Sequence, residues 1–132
     1  MSDQLSIKVR RSQLGRVRGS GSAKAGVHHW YAERITSIAL VPLTLWFVFS
    51  MVRLAGAPFE WVRAWAERPW NTVLLLALIV MTFHHMQLGI QVVLEDYVHE
   101  KWPQTAAILA NKAICGILGL MAALSVLKLV LY

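Results

Sequence analysis

Three apolar blocks separated by short polar stretches dominate the chain. Ile35 to Val52 runs without a charge, close to the roughly 20 residues that cross a bilayer as a helix. Thr72 to Tyr97 carries the apolar run Val73 to Met81 and extends it through Phe83-His84-His85. Ala106 to Leu131 is the third block. These runs are too long for strands, and backbone polar groups inside lipid must be satisfied within a helix. The pattern predicts an all-α membrane protein with three transmembrane helices at about 35–54, 72–97 and 105–131. Pro42 is tolerated in such a helix.

The stretches between the blocks have their own logic. Ala55 to Asn71 contains Gly56, Pro58 and Pro69, and the aromatics of Glu60-Trp61-Val62-Arg63-Ala64-Trp65 fall at helical spacing. A short interfacial helix is expected there, with Trp61, Trp65 and Trp70 as membrane-interface anchors. Glu100-Lys101-Trp102-Pro103 is a tight link to the third span. In that span Gly116, Gly119, Ala122 and Ala123 make a small-residue face suited to close helix packing, while Lys112 and Lys128 can snorkel to opposite surfaces.

Composition agrees with a membrane protein: 57% of the 132 residues are hydrophobic and only 15% charged, too few charges to cover a soluble domain. The net charge of +6 comes mostly from the first 27 residues, where Lys8, Arg10, Arg11, Arg16, Arg18 and Lys24 face only Asp3. This is not a nucleic-acid-binding face, and no apolar segment follows the charges as it would in a signal peptide. A basic tail beside a first span predicts a cytoplasmic N-terminus. Three spans then place the C-terminus in the periplasm. The chain divides into a basic tail, 1–27, and a membrane domain, 28–132. The single cysteine, Cys115, cannot form an internal disulfide and reads as a packing residue. Neither GxxxxGK[ST] nor GxGxxG occurs, so no nucleotide loop is present.

Candidate chemistry lies in the second span. His84 and His85 stand near its middle, where an ionisable residue points to function. Adjacent helical residues project about 100° apart, so the two rings cannot both face one ligand. Gly89 lies one turn beyond His85 on the same face, leaving space for a flat, bulky group. A neutral imidazole suits iron, and a six-coordinate haem would need its second histidine from another chain. The competing reading is that both rings simply hydrogen-bond neighbouring helices. Asp96 and Tyr97 follow about three turns after His85, near the membrane surface. There a phenol can donate to a carbonyl and an acid can relay protons. Arg34 ends the first span, where it reads either as a snorkelling flank or as a cation facing a cofactor carboxylate, and His28 lies six residues before it.

Gly26-Val27-His28-His29-Trp30-Tyr31-Ala32-Glu33-Arg34-Ile35-Thr36-Ser37-Ile38-Ala39-Leu40 resembles the start of the first helix in the D-subunit family of bacterial succinate dehydrogenase (respiratory complex II) membrane anchors. His85, Gly89, Asp96 and Tyr97 are similar to that family's H-x3-G-x6-D-Y pattern. The resemblance covers residues 26 to 132. The sister C subunit fits less well, because Gln91-Val92-Val93 stands where its Arg-His-Leu would be.

The resemblance implies that His85 is an axial ligand to the iron of haem b, whose second ligand comes from the cytochrome b C subunit. It further implies that Tyr97 hydrogen-bonds a ubiquinone carbonyl with Asp96 beside it, and that Arg34 and, less directly matched, His28 lie near the haem propionates. His84 is a departure, since the family needs one histidine there. Electrons would travel from succinate to ubiquinone, giving fumarate and ubiquinol, with the FAD in a flavoprotein subunit and the iron–sulfur clusters in another. The chain alone is not expected to oxidise succinate. A multi-pass place in the bacterial inner membrane follows. Two other readings stand beside this one: the anchor of a fumarate reductase using menaquinone, and a non-redox membrane scaffold.

Overall fold

The computed structural model describes the backbone of residues 24–132 and the side chains from Val27 onward. The basic stretch of the tail before Lys24, and with it the reading of that stretch as a topology signal, lies outside the described residues. Four helices follow in order: α1 (Lys24–Leu54), α2 (Phe59–Ala66), α3 (Pro69–Tyr97) and α4 (Lys101–Leu131). Among the described residues there is no strand. α1, α3 and α4 are each long and apolar enough to cross a membrane. At 1.5 Å per residue they measure about 45 Å, against a hydrocarbon core of about 30 Å.

The helices outrun the apolar blocks at several ends. α1 begins at Lys24, inside the stretch assigned to the tail, and α4 begins at Lys101 rather than after Pro103. Pro103 is accommodated because the first-turn N–H groups of a helix have no intrahelical acceptor anyway. Pro69 opens α3 for the same reason. Pro42 lies inside α1, which stays helical through it.

α3 is the central element, since both α1 and α4 pack along it. The turn into α2 uses Gly56 at φ 76°, a left-handed conformation that a side chain would disfavour. The expected interfacial helix is present as α2, with Arg63 Nε bonding Glu67 Oε1 at 2.8 Å. Its junction with α3 is tied by side-chain to backbone bonds. Asn71 Nδ2 donates to the Trp65 carbonyl at 2.7 Å, and the Thr72 hydroxyl to that of Ala66, also at 2.7 Å. Trp65 stacks on Trp46 of α1 with ring centroids 5.6 Å apart, so this tryptophan packs as well as marking the interface.

The α3–α4 contact is close at one point. A Cβ added to Gly119 would come within 3.2 Å of the Phe83 ring, whereas one added to Gly116 would meet nothing within 4 Å. Of the two glycines, Gly119 therefore serves the close approach of this helix pair. Next to Gly116, Cys115 is buried as a packing residue, and its Sγ lies 3.4 Å from Oδ1 of Asn111, one turn before it. Asn111 Nδ2 crosses to the Gln87 carbonyl at 2.9 Å, an interhelical bond of the kind that holds helices together where water is scarce.

Candidate functional site

Along α3, His85 is twelve residues before the last residue, Tyr97. That places it about 18 Å from the helix end, inside the hydrocarbon layer. Thr36 is the same number of residues from the start of α1, and antiparallel packing brings the two levels together. Thr36 Oγ1 lies 3.0 Å from His85 Nδ1. The same hydroxyl lies 2.9 Å from the Ala32 carbonyl and 3.0 Å from that of Glu33. Thr36 is only 4% exposed, so the contact is shielded even before lipid or another subunit covers the half-buried His85.

The two histidines separate as helical geometry requires. His85 meets α1 through Thr36. His84 lines a groove of about 400 Å³ between α3 and α4 with Phe83, Gln87, Lys112 and Gly119. On the His85 face, a Cβ added to Gly89 would touch nothing in this chain within 4 Å. The bareness of that turn is what a broad flat group against the helix needs. Among the described residues no cluster of three or more His, Cys, Asp or Glu could hold a metal ion. One half-buried imidazole, held at one nitrogen beside a glycine, fits a single-ligand contribution to an iron shared between chains.

Asp96 and Tyr97 close α3, and both are exposed, Tyr97 by 80%. Because successive spans reverse direction, they emerge on the membrane side where α1 begins. A ladder of side chains runs down α3 toward them: Gln87 Nε2 donates to Gln91 Oε1 at 2.9 Å, and Gln91 Nε2 to Glu95 Oε1 at 2.7 Å. Gln104 Nε2 of α4 donates to the Glu95 carbonyl at 3.3 Å, which pins the end of the helix.

Arg34 is exposed, with its guanidinium 5.3 Å from the centroid of Trp30. It stands two residues from Thr36, about 200° round α1, so within this chain it does not join the His85 contact. His28 is likewise exposed. The neighbouring His29 differs, for its Nε2 is buried without a hydrogen-bond partner among the described residues. The sequence pattern assigns no role to Thr36 or Asn111, and His29 reads from it as an ordinary surface histidine, whereas its Nε2 is buried. No signal in the sequence singles out Thr36, because α1 begins at Lys24 in a polar stretch and the way two helices are turned toward each other is not written in either one.

Comparison with known proteins shows the family of the chain. Residues 8–124 match the family described as succinate dehydrogenase/fumarate reductase transmembrane subunit. The chain is 33% identical over 89 residues to the succinate dehydrogenase hydrophobic membrane anchor subunit of Rickettsia conorii, covering 67% of this chain and 71% of that protein. To the same-named subunit of Rickettsia bellii it is 35% identical over 88 residues, covering 67% and 70%. The Paracoccus denitrificans subunit is 28% identical over 79 residues, covering 60% of this chain and 61% of its own. No solved structure gave a significant match. The chain therefore belongs to the succinate dehydrogenase/fumarate reductase transmembrane subunit family, as a multi-pass membrane anchor subunit of succinate dehydrogenase.

Proposed function

We propose that this chain co-binds haem b and completes the ubiquinone-reduction site of its complex, carrying electron transfer from succinate to ubiquinone. The observation that carries the reading is the anchored imidazole of His85 deep in α3, one turn from the bare Gly89. A buried polar group in lipid is costly unless it is paired. Here one ring nitrogen is paired by Thr36, which leaves the other for a ligand's role. His85 would hold the iron from this side, and a histidine of a cytochrome b partner chain from the other. Bound there, haem b would supply reversible one-electron chemistry without a change of ligands. Arg34 and His28, on the side where α1 begins, would offset propionate charge that the membrane cannot solvate.

Quinone reduction needs protons as well as electrons, which sets its pocket at a water-facing end. Tyr97 and Asp96 stand at such an end, exposed on this chain, and a pocket built on them needs walls from other subunits. The Tyr97 hydroxyl would donate to a quinone carbonyl, and Asp96 would pass protons from water. Two electrons and two protons convert ubiquinone to ubiquinol as succinate loses the same to become fumarate. Oxidation of succinate would belong to a flavoprotein subunit, with an iron–sulfur subunit between it and this anchor. The family description also names fumarate reductase, whereas the relatives above are named as succinate dehydrogenase subunits, which favours the succinate-oxidising direction.

The test is a reduced-minus-oxidised spectrum of complex purified from native membranes. His85→Ala should abolish the b-type signal and His84→Ala should leave it. An unchanged signal in His85→Ala, or a haem-free parent complex, would contradict the reading.

A further inference from the structure

We infer that Thr36 is a positioning residue that fixes the tautomer of His85, placing the proton on Nδ1 and presenting Nε2 as the bare donor nitrogen. The inference rests on His85 being the iron ligand and says how α1 prepares it. The Thr36 hydroxyl has one proton and two acceptor lone pairs. Two carbonyls of its own helix compete for that proton, Ala32 O at 2.9 Å and Glu33 O at 3.0 Å. Such back-bonding to the preceding turn is the ordinary state of a helical threonine. Glu33 O also accepts from the Ser37 hydroxyl at 2.8 Å, so Ala32 O is the less burdened acceptor.

With its proton turned to its own helix, Thr36 Oγ1 can meet His85 Nδ1 only as an acceptor. Were Nδ1 unprotonated as well, two lone pairs would face each other at 3.0 Å around a threonine that is only 4% exposed. No water would lie between them to relieve the repulsion, and a buried unpaired polar group is costly. The neutral ring must then carry its proton on Nδ1, where it donates to Thr36 Oγ1. Nε2 is left with its lone pair free. Ligating histidines commonly donate their other ring N–H in this way, which fixes ring orientation and raises the basicity of the ligating nitrogen. Here the acceptor is a hydroxyl on a separate helix, so the α1–α3 packing itself sets the ligand.

The experiment uses the complete complex in membranes, carrying Thr36→Val, Thr36→Ser or His85→Ala. Three quantities are read: haem per flavin, the haem midpoint potential, and succinate oxidation with a soluble dye as a measure of assembly. Thr36→Val keeps the shape and removes the acceptor. It should leave dye activity intact, weaken haem retention by about 10- to 100-fold, and raise the midpoint potential, because a less basic imidazole stabilises ferric iron less. Thr36→Ser keeps the hydroxyl and should restore both haem readouts. Haem content and potential equal to the parent's in an assembled Thr36→Val complex would overturn the inference, as would Thr36→Ser behaving like Thr36→Val. Should Thr36→Val not assemble, hyperfine spectroscopy of the parent with 15N-labelled histidine reads the Nδ1 proton directly. A proton on Nδ1 that is hydrogen-bonded to the Thr36 hydroxyl supports the assignment; an Nδ1 without a proton, or with one not hydrogen-bonded there, overturns it. Haem retained in His85→Ala, or absent from the parent, would overturn the haem reading itself, an outcome distinct from a failure of Thr36 alone.

Discussion

Tyr97 ends α3 with most of its ring exposed and its hydroxyl without a partner among the described residues. A phenol in that state contributes little to the stability of this chain, so its removal should be felt in chemistry and not in folding. In Tyr97→Phe the complex should reduce ubiquinone about tenfold more slowly, equivalent to ~1.4 kcal/mol, the scale of one hydrogen bond made in the transition state. Succinate oxidation measured with soluble dyes should be unchanged. Equal quinone rates in variant and parent would remove Tyr97 from the site. At the same scale the two adjacent histidines take different surroundings, one against Thr36 and one in the α3–α4 groove. Their separation follows from a rotation of about 100° per residue, which the sequence alone supplied. That the polar neighbour of His85 would be Thr36 was not legible, because the partner of a helical face depends on how two helices are turned about their axes.

α3 can serve as the central element because it offers different chemistry on different sides: Thr36 of α1 on one, Asn111 and Gly119 of α4 on another. The close approach at Gly119 makes a measurable distinction. Gly119→Val would drive a branched side chain into the Phe83 ring, and overpacking of this kind costs about 1–3 kcal/mol. Gly116→Val meets nothing of this chain at its Cβ. Thermal denaturation of the detergent-solubilised chain should show a lower Tm for Gly119→Val than for Gly116→Val. The reverse order would contradict the helix pairing described here. The spans and the interfacial helix α2 were readable from uncharged apolar runs and aromatic spacing. The starts of α1 and α4 were not, because Lys24 and Lys101-Trp102-Pro103 are polar or helix-averse by composition yet occupy first turns, where neither property is penalised. Asn111 escaped notice because one amide in an apolar block looks like an interruption until its acceptor, the Gln87 carbonyl, is placed opposite.

At the scale of the whole molecule, few side chains are buried. Ala66, Leu75, Leu88 and Cys115 make up the apolar core among the described residues, while Ile38, Val41, Leu45, Val80, Ile117 and Leu124 lie exposed. Such a surface belongs against lipid or other subunits, and each residue proposed for the site would need another chain to complete it: one imidazole, one exposed tyrosine, one arginine packed on Trp30. The incompleteness is what an anchor subunit of a larger enzyme requires, and it explains why sequence motifs could point to chemistry that a single chain cannot finish. The most direct test is a density map of the complete complex taken from native membranes with its haem retained. The account predicts iron within bonding distance of His85 Nε2, with the Thr36 hydroxyl on the opposite ring nitrogen and a second histidine from a partner chain. Iron held by other residues, or the His85 ring turned toward lipid, would contradict it.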